Sequence, residues 1–310
     1  MIVELIQEMM VLYGFAIIGF TAMKFNILNK SSIDVLSKLI LNVTLPCLII
    51  HSLDKTFTFT MLKDFIWLLL ISLYVLAVAT LLAHWMGKRL QHNKNKRATY
   101  ESLIIFGNQG FIGYAVVMAL FGEEEIIYLV IFNIFYLILI WTYGIYLFTK
   151  NNGEFTIKGL LNSGLMSTII GIIILLLPIK LNFIISKTLE EVGNITVPLS
   201  MIFIGSLLAV VKYKDLCRMI KDIYIWLATI LRLIAIPILV LPFLYLSIHP
   251  KLIMIAFIVS GMPSAPTTSL YAQKYGGDIQ FSSIGVLLST VLSLITIPLL
   301  ISIIKTLIKV

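Results

Sequence analysis

Apolar runs long enough to cross a bilayer follow one another along nearly the whole of this 310-residue chain. They exceed the roughly 18 residues at which a hydrophobic stretch reads as membrane-crossing. Charged residues make up only 12% of the sequence and hydrophobic residues 60%, whereas a soluble domain carries roughly 25% charge. In lipid a backbone has to satisfy its own N–H and C=O groups, which leaves helices and closed barrels. Barrel strands would be short and would alternate apolar with polar residues, and the runs here do neither. The chain reads as an all-α polytopic membrane protein.

Windows bounded by charges and turn residues give ten candidate spans. They lie near Leu5–Met23, Ile33–Leu53, Met61–Trp85, Ala98–Phe121, Ile126–Phe148, Lys158–Leu177, Glu190–Val210, Ile223–Ser247, Leu252–Gln273 and Ile279–Lys305. The first segment lacks a basic leader and a small-residue cleavage site, so it is expected to remain as a helix. Cys47 and Cys217 fall in or beside spans and read as small core residues without a disulfide.

Lys and Arg on the connections set orientation. With the N-terminus outside, most of the 23 Lys and Arg fall on cytoplasmic connections. These include the dense run Lys88, Arg89, Lys94, Lys96 and Arg97, together with Lys158, Lys212, Lys214 and Arg218. Lys55, Lys251 and the acidic run Glu123-Glu124-Glu125 then lie outside, as do both termini. The net charge of +8 is thereby a topology signal beside anionic lipid, and no nucleic-acid partner is implied.

Asn42-Val43-Thr44-Leu45-Pro46 recurs as Asn194-Ile195-Thr196-Val197-Pro198. Each copy puts an amide and a proline into an apolar stretch, where proline removes a helix donor. A second correspondence follows in the same order. Gly107-Asn108-Gln109-Gly110-Phe111-Ile112-Gly113 in span four answers Gly261-Met262-Pro263-Ser264-Ala265-Pro266-Thr267-Thr268-Ser269 in span nine. The chain thus divides into a first five-helix repeat at 1–150 and a second at 151–310. Five is odd, so the second repeat enters from the opposite side, and the repeats are inverted. Paired interruptions of this kind point to the substrate site of a secondary transporter.

Pro263 and Pro266, with Gly261 just before, should unwind span nine. Unwound backbone at membrane depth is tolerated only under protein cover or beside a watery cavity. Freed N–H groups there favour an anion, and freed carbonyls favour a cation. Asn108 is the leading site candidate, because an amide within a span needs partners; Gln109 is adjacent and faces another way. Gly107, Gly110 and Gly113 serve either a site or close helix packing. Ser264, Thr267 and Thr268 bind a ligand or bond to their own helix. Arg232 sits within a span, where it attracts an anion, pairs with a carboxylate or snorkels to the cytoplasm. Glu101 and His84, near span ends, read as interfacial. Asn133 bonds across helices or lines a cavity. The four histidines, His51, His84, His92 and His249, lack metal-ligand spacing, and no Gly-rich loop precedes a Lys-Ser/Thr pair. Neither an enzyme nor ATP coupling within this chain is indicated, and no cofactor is expected.

At these residues the chain resembles the auxin efflux carrier family, which includes the plant PIN carriers and bacterial malate or malonate permeases. The resemblance covers essentially the whole chain and rests on Asn42–Ile49, Gly107–Gly113, Gly261–Pro266 and Leu288–Leu299. It implies two inverted five-helix repeats, with broken helices four and nine crossing near the midplane and substrate bound beside the crossing. It implies a bundle that slides against a scaffold, and an Asn matching Asn108 that contacts the substrate carboxylate. The family usually has proline two residues after the final glycine of the span-four motif; here that position is Ala115, so the break in span four would rest on glycines or be milder. The long cytoplasmic loop of many plant members is absent, which favours a compact prokaryotic form in the cytoplasmic (inner) membrane.

The leading reading is a secondary transporter of small organic anions, mono- or dicarboxylates, working by elevator-like alternating access. Asn108, Gln109, Gly110, Pro263, Ser264, Pro266, Thr267 and Thr268 would form its substrate site. Asn42, Pro46, Gly113, Asn194 and Pro198 would mark bends or gates, and Arg232 and Glu101 are candidate charged groups. One alternative is a sodium- or proton-coupled symporter of another organic anion on the same fold, with Glu101 as a proton carrier. Another is a membrane ligand sensor that transports nothing. A homodimer is left open.

Overall fold

The computed structural model describes residues 2–54, 62–90, 94–110, 112–122, 125–150, 162–177, 180–210 and 221–308. Lys55, His92, Phe111, Glu123, Glu124, Lys158, Lys212, Lys214, Cys217 and Arg218 lie outside these residues. The described chain is helical throughout, and its one β-type pairing is a single bridge between Gly107 and Ser264. In chain order the helices are α1 (Ile2–Lys24), α2 (Lys30–Leu53), α3 (Leu62–Leu90), α4 (Lys94–Ile105), α5 (Ile112–Phe121), α6 (Ile126–Phe132) and α7 (Ile134–Thr149). They continue as α8 (Ser163–Leu176), α9 (Phe183–Val210), α10 (Ile223–Tyr245), α11 (Pro250–Ser260), α12 (Thr267–Tyr275) and α13 (Ile279–Ile308).

Among the described residues, α2, α3, α9, α10 and α13 are long and apolar enough to cross a membrane, and α6 with α7, bent by 41°, would make a sixth such span. The expected span four is divided into α4 and α5, and span nine into α11 and α12. Helix α9 begins at Phe183, ahead of the expected Glu190. Asn182 caps it by accepting a hydrogen bond from the Ile184 N–H at 2.9 Å. Its first turns carry Lys187, Glu190 and Glu191, which form ion pairs along the helix. Those charges disguise the start of the helix in an apolar-run reading. Large apolar side chains such as Leu81, Ile184 and Ile295 face outward, while Glu101, Asn108 and Arg232 are buried. Lipid is the solvent that suits this surface.

The repeated pentapeptide disturbs its helix in both places. In α2 the turn Ile40–Thr44 widens to a π-turn just before Pro46, which has no N–H to give. In α9 the helix stops at Asn194 and restarts at Thr196, which puts Pro198 in a first turn where its missing donor is harmless. Asn42 donates to the Lys38 carbonyl at 2.9 Å and accepts from the Ser163 hydroxyl at 3.2 Å, bracing the start of α8. Cys47, also in α2, is a free thiol.

Helix α1 lies against the later half of α9, and α8 against the later half of α2. The α1–α9 contact is backbone on backbone. A side chain at Gly205 would fall on the Ala16 carbonyl, and one at Gly19 on the Ile202 backbone. Ser206 donates to the Gly19 carbonyl at 3.2 Å across the same contact. Small residues permit such close approach in membranes, where dispersion and interhelical bonds hold helices together. Gly205→Leu should therefore lower the thermal unfolding midpoint of the purified protein by about 5 °C or more. Gly14→Ala, on the same α1 with open space around the position, should leave the midpoint unchanged.

Candidate functional site

Two unwound links meet in the middle of the molecule. One follows the end of α4 at Ile105 and is described over 106–110, ahead of α5, and the other runs from Ser260 of α11 to Thr267 of α12. They lie antiparallel, and each supplies hydrogen-bond partners to the other. The Asn108 N–H donates to the Pro263 carbonyl at 2.6 Å, and the Ala265 N–H donates to the Phe106 carbonyl at 2.9 Å. The Ser264 N–H donates to the Ser289 hydroxyl at 3.1 Å, and the Ser264 hydroxyl donates to the Leu103 carbonyl at 2.7 Å. A broken helix in lipid has to find such partners, because each bare group would cost several kcal/mol. The break between α4 and α5 is complete without a proline, and it lies upstream of Ala115.

The carbonyls left over at the ends of α4 and α11 converge on Arg232. Its Nε donates to the Met262 carbonyl at 2.8 Å and one terminal nitrogen to that of Ser260 at 2.9 Å. The other terminal nitrogen donates to Ile104 at 3.2 Å and Ile105 at 3.1 Å. Arg232 is 1% exposed and is set by a π-turn, Leu231–Ala235, next to Pro237 of α10. It neither snorkels, nor pairs with a carboxylate, nor reaches a cavity. Four of its five N–H donors go to backbone carbonyls, and it is not among the cavity-lining residues, so an anion in the cavity described below has no direct contact with it. Gly107 lies against the guanidinium so closely that any side chain there would overlap it. The Gly107 carbonyl accepts from the Tyr136 hydroxyl at 2.8 Å.

Beside the crossing lies a cavity of about 390 Å³. Asn108, Gly110, Ala265 and Thr267 form its wall on the crossing side, with Asn133 and Tyr136 from the α6–α7 bend. The opposite wall comes from the later half of α2 and the earlier part of α9, including Leu48, His51, Glu190 and Asn194. Among the described residues no Lys or Arg lines it. The buried Asn133 Oδ1 has no hydrogen-bond partner among the described residues. Gly110 has open space where a side chain would stand, so two of the motif's glycines part company: Gly107 is there for packing and Gly110 faces the cavity. Gly113 makes only ordinary contact with Met262.

The remaining candidates fall outside the cavity lining. Gln109 is buried, with its Oε1 unpartnered. Thr268 shares a 2.9 Å hydroxyl bond with Ser102, and Ser264, Pro263 and Pro266 shape the crossing. Glu101 is not among the residues that line the cavity. It is fully buried between α3 and α4, where it accepts from Arg97 Nε at 2.6 Å and lies 3.7 Å from His84. His51, Glu190 and Tyr136 were not singled out from sequence. Only the cross-chain packing of α2 on α9 brings the first two together.

The family described as membrane transport protein matches residues 4–301. The chain belongs to that family. It is a membrane transporter rather than an enzyme, and the resemblance to auxin efflux carriers stands. Similar relatives include an uncharacterized transporter of Methanocaldococcus jannaschii, 26% identical over 294 residues, covering 91% of this chain and 93% of the relative. An uncharacterized transporter of Methanothermobacter thermautotrophicus is 22% identical over 287 residues, with 91% and 93% covered.

Tyr136→Phe would leave the Gly107 carbonyl without its side-chain donor in a buried position. It should cost about 1–2 kcal/mol of stability, measured as a lowered thermal midpoint with the fold retained.

Proposed function

We propose that this family member is a secondary transporter of small organic anions, mono- or dicarboxylates, working by elevator-like alternating access. The observation that carries this reading is the polarity of the crossing beside the cavity. The carbonyl ends of α4 and α11 are consumed by Arg232, while the N-terminal ends of α5 and α12 open beside Asn108 and Thr267. Helix N-termini carry a partial positive charge, which suits a carboxylate, although the Gly113, Thr268 and Ser269 N–H groups already donate to the Asn108, Ala265 and Pro266 carbonyls. The apolar remainder of the lining, such as Leu48, Leu129 and Val130, suits the body of an organic acid.

Two inverted five-helix repeats are supported by the reciprocal packing of α1 on α9 and of α8 on α2, and by the two broken helices. The cavity lies between α2 and α9 on one side and the crossing on the other. That division suits a body carrying the crossing and sliding on a scaffold. With both termini outside, in a prokaryotic inner membrane, the later half of α2 is external and the cavity faces outward. Proton-coupled symport is a second reading, favoured by His51 and Glu190 in the cavity wall.

Purified protein in liposomes should exchange a carboxylate from a mixed panel. Asn108→Ala should reduce kcat/KM by about tenfold or more, the scale of one lost hydrogen bond to a charged group. Flux at the full rate with unchanged KM in Asn108→Ala would remove Asn108 from the site. Binding without flux in the wild type would leave a sensor. Uptake driven by an imposed pH gradient, and reduced in His51→Gln, would favour the proton-coupled form.

A further inference from the structure

Four backbone carbonyls surround one buried guanidinium, an oxygen-rich shell, or cage, of the chemistry that holds a monovalent cation at unwound helices in a membrane interior. Here the cage is already filled, from within the chain. We propose that Arg232 is a tethered cation standing where such a carrier would otherwise hold a sodium ion, so that it fixes the charge of the crossing and leaves the transport cycle independent of sodium.

Charge matching supports this. Each helix C-terminus carries about half a negative charge, so the ends of α4 and α11 together present about one unit, which one guanidinium balances. Geometry supports it as well. Four of the five N–H donors of a guanidinium are used, on Ile104, Ile105, Ser260 and Met262. Gly107 supplies a flat, side-chain-free seat against the planar group. Burial at 1% exposure keeps water out of the cage.

The consequence follows from the tether. A coupling ion has to bind on one side and leave on the other, whereas a cation attached to α10 does neither. Arg232 therefore organises the crossing in every state without drawing on an ion gradient. It is a positioning residue: it touches no cavity and acts by cancelling the negative ends, so that the positive N-termini of α5 and α12 dominate beside the cavity. The statement about the cycle rests on the transport reading; the statement about the cage does not.

The test uses the full chain in lipid nanodiscs, with thermal unfolding read in choline, sodium and methylguanidinium chlorides at equal ionic strength. The wild type should show the same midpoint in all three. Arg232→Ala should be destabilised in choline and should recover, saturably and by about 5 °C or more, in millimolar methylguanidinium or in sodium. An equal loss in all three salts would overturn the proposal, because it would mean that Arg232 only fills space. Should Arg232→Ala fail to fold, Arg232→Lys and Arg232→Met decide. A folded Lys variant beside an unfolded Met variant supports a required cation, and equal behaviour of the two overturns it. In liposomes, wild-type carboxylate flux should be the same in sodium and choline, and a stimulation by sodium of twofold or more would refute the sodium-independent cycle. If no carboxylate is moved at all, the transport reading fails while the salt rescue still reports on the cage.

Discussion

Arg232 holds the two broken helices together. Its four bonds to the carbonyl ends of α4 and α11 satisfy groups that could not stay bare in a membrane. Everything beside the crossing depends on that satisfaction. The antiparallel bridge at Gly107 and Ser264 can form because the chain does not need helix there. Gly110 and Thr267, at the starts of the restarted helices, line the cavity, while the carbonyls that end α4 and α11 are engaged by Arg232. With no Lys or Arg among the described residues of the lining, a positive face there has to come from backbone.

The sequence carried much of this in its interruptions. Amides and prolines within apolar runs are conspicuous, because each costs a helix something in lipid. Asn108 was legible for that reason, and Gly110 and Thr267 through the interrupted motifs that hold them; all three line the cavity. The pentapeptides were legible as weak points in α2 and α9, although they resolve differently: a π-turn before Pro46 and a restart before Pro198. Asn42 braces α8, whereas its counterpart Asn194 faces the cavity.

What the sequence did not carry is direction. Arg232 could be seen as a charge in a span, but only the fold reveals that it turns toward carbonyls far away in the chain. Ser264 and Thr268 looked like ligand hydroxyls and instead stitch the crossing to Leu103 and Ser102. Glu101 stands near a span end, and nothing in the sequence shows that α3 packs over it at Gly87. His51 and Glu190 stand near the ends of their apolar runs, where polar residues are ordinary, and they become part of a cavity wall only when α2 meets α9.

Gly110 and Thr267, from separate halves of the chain, face one cavity, and the proposed transporter would bind one ligand between them. Labelling of single cysteines tests it most directly, in a background with Cys47→Ser and Cys217→Ser. Gly110→Cys and Thr267→Cys, each treated with a membrane-impermeant maleimide in sealed vesicles, should react from the same side of the membrane, and a saturating transported carboxylate should protect both. Labelling of the two from opposite sides, or protection of one and not the other, would contradict a shared site at the crossing.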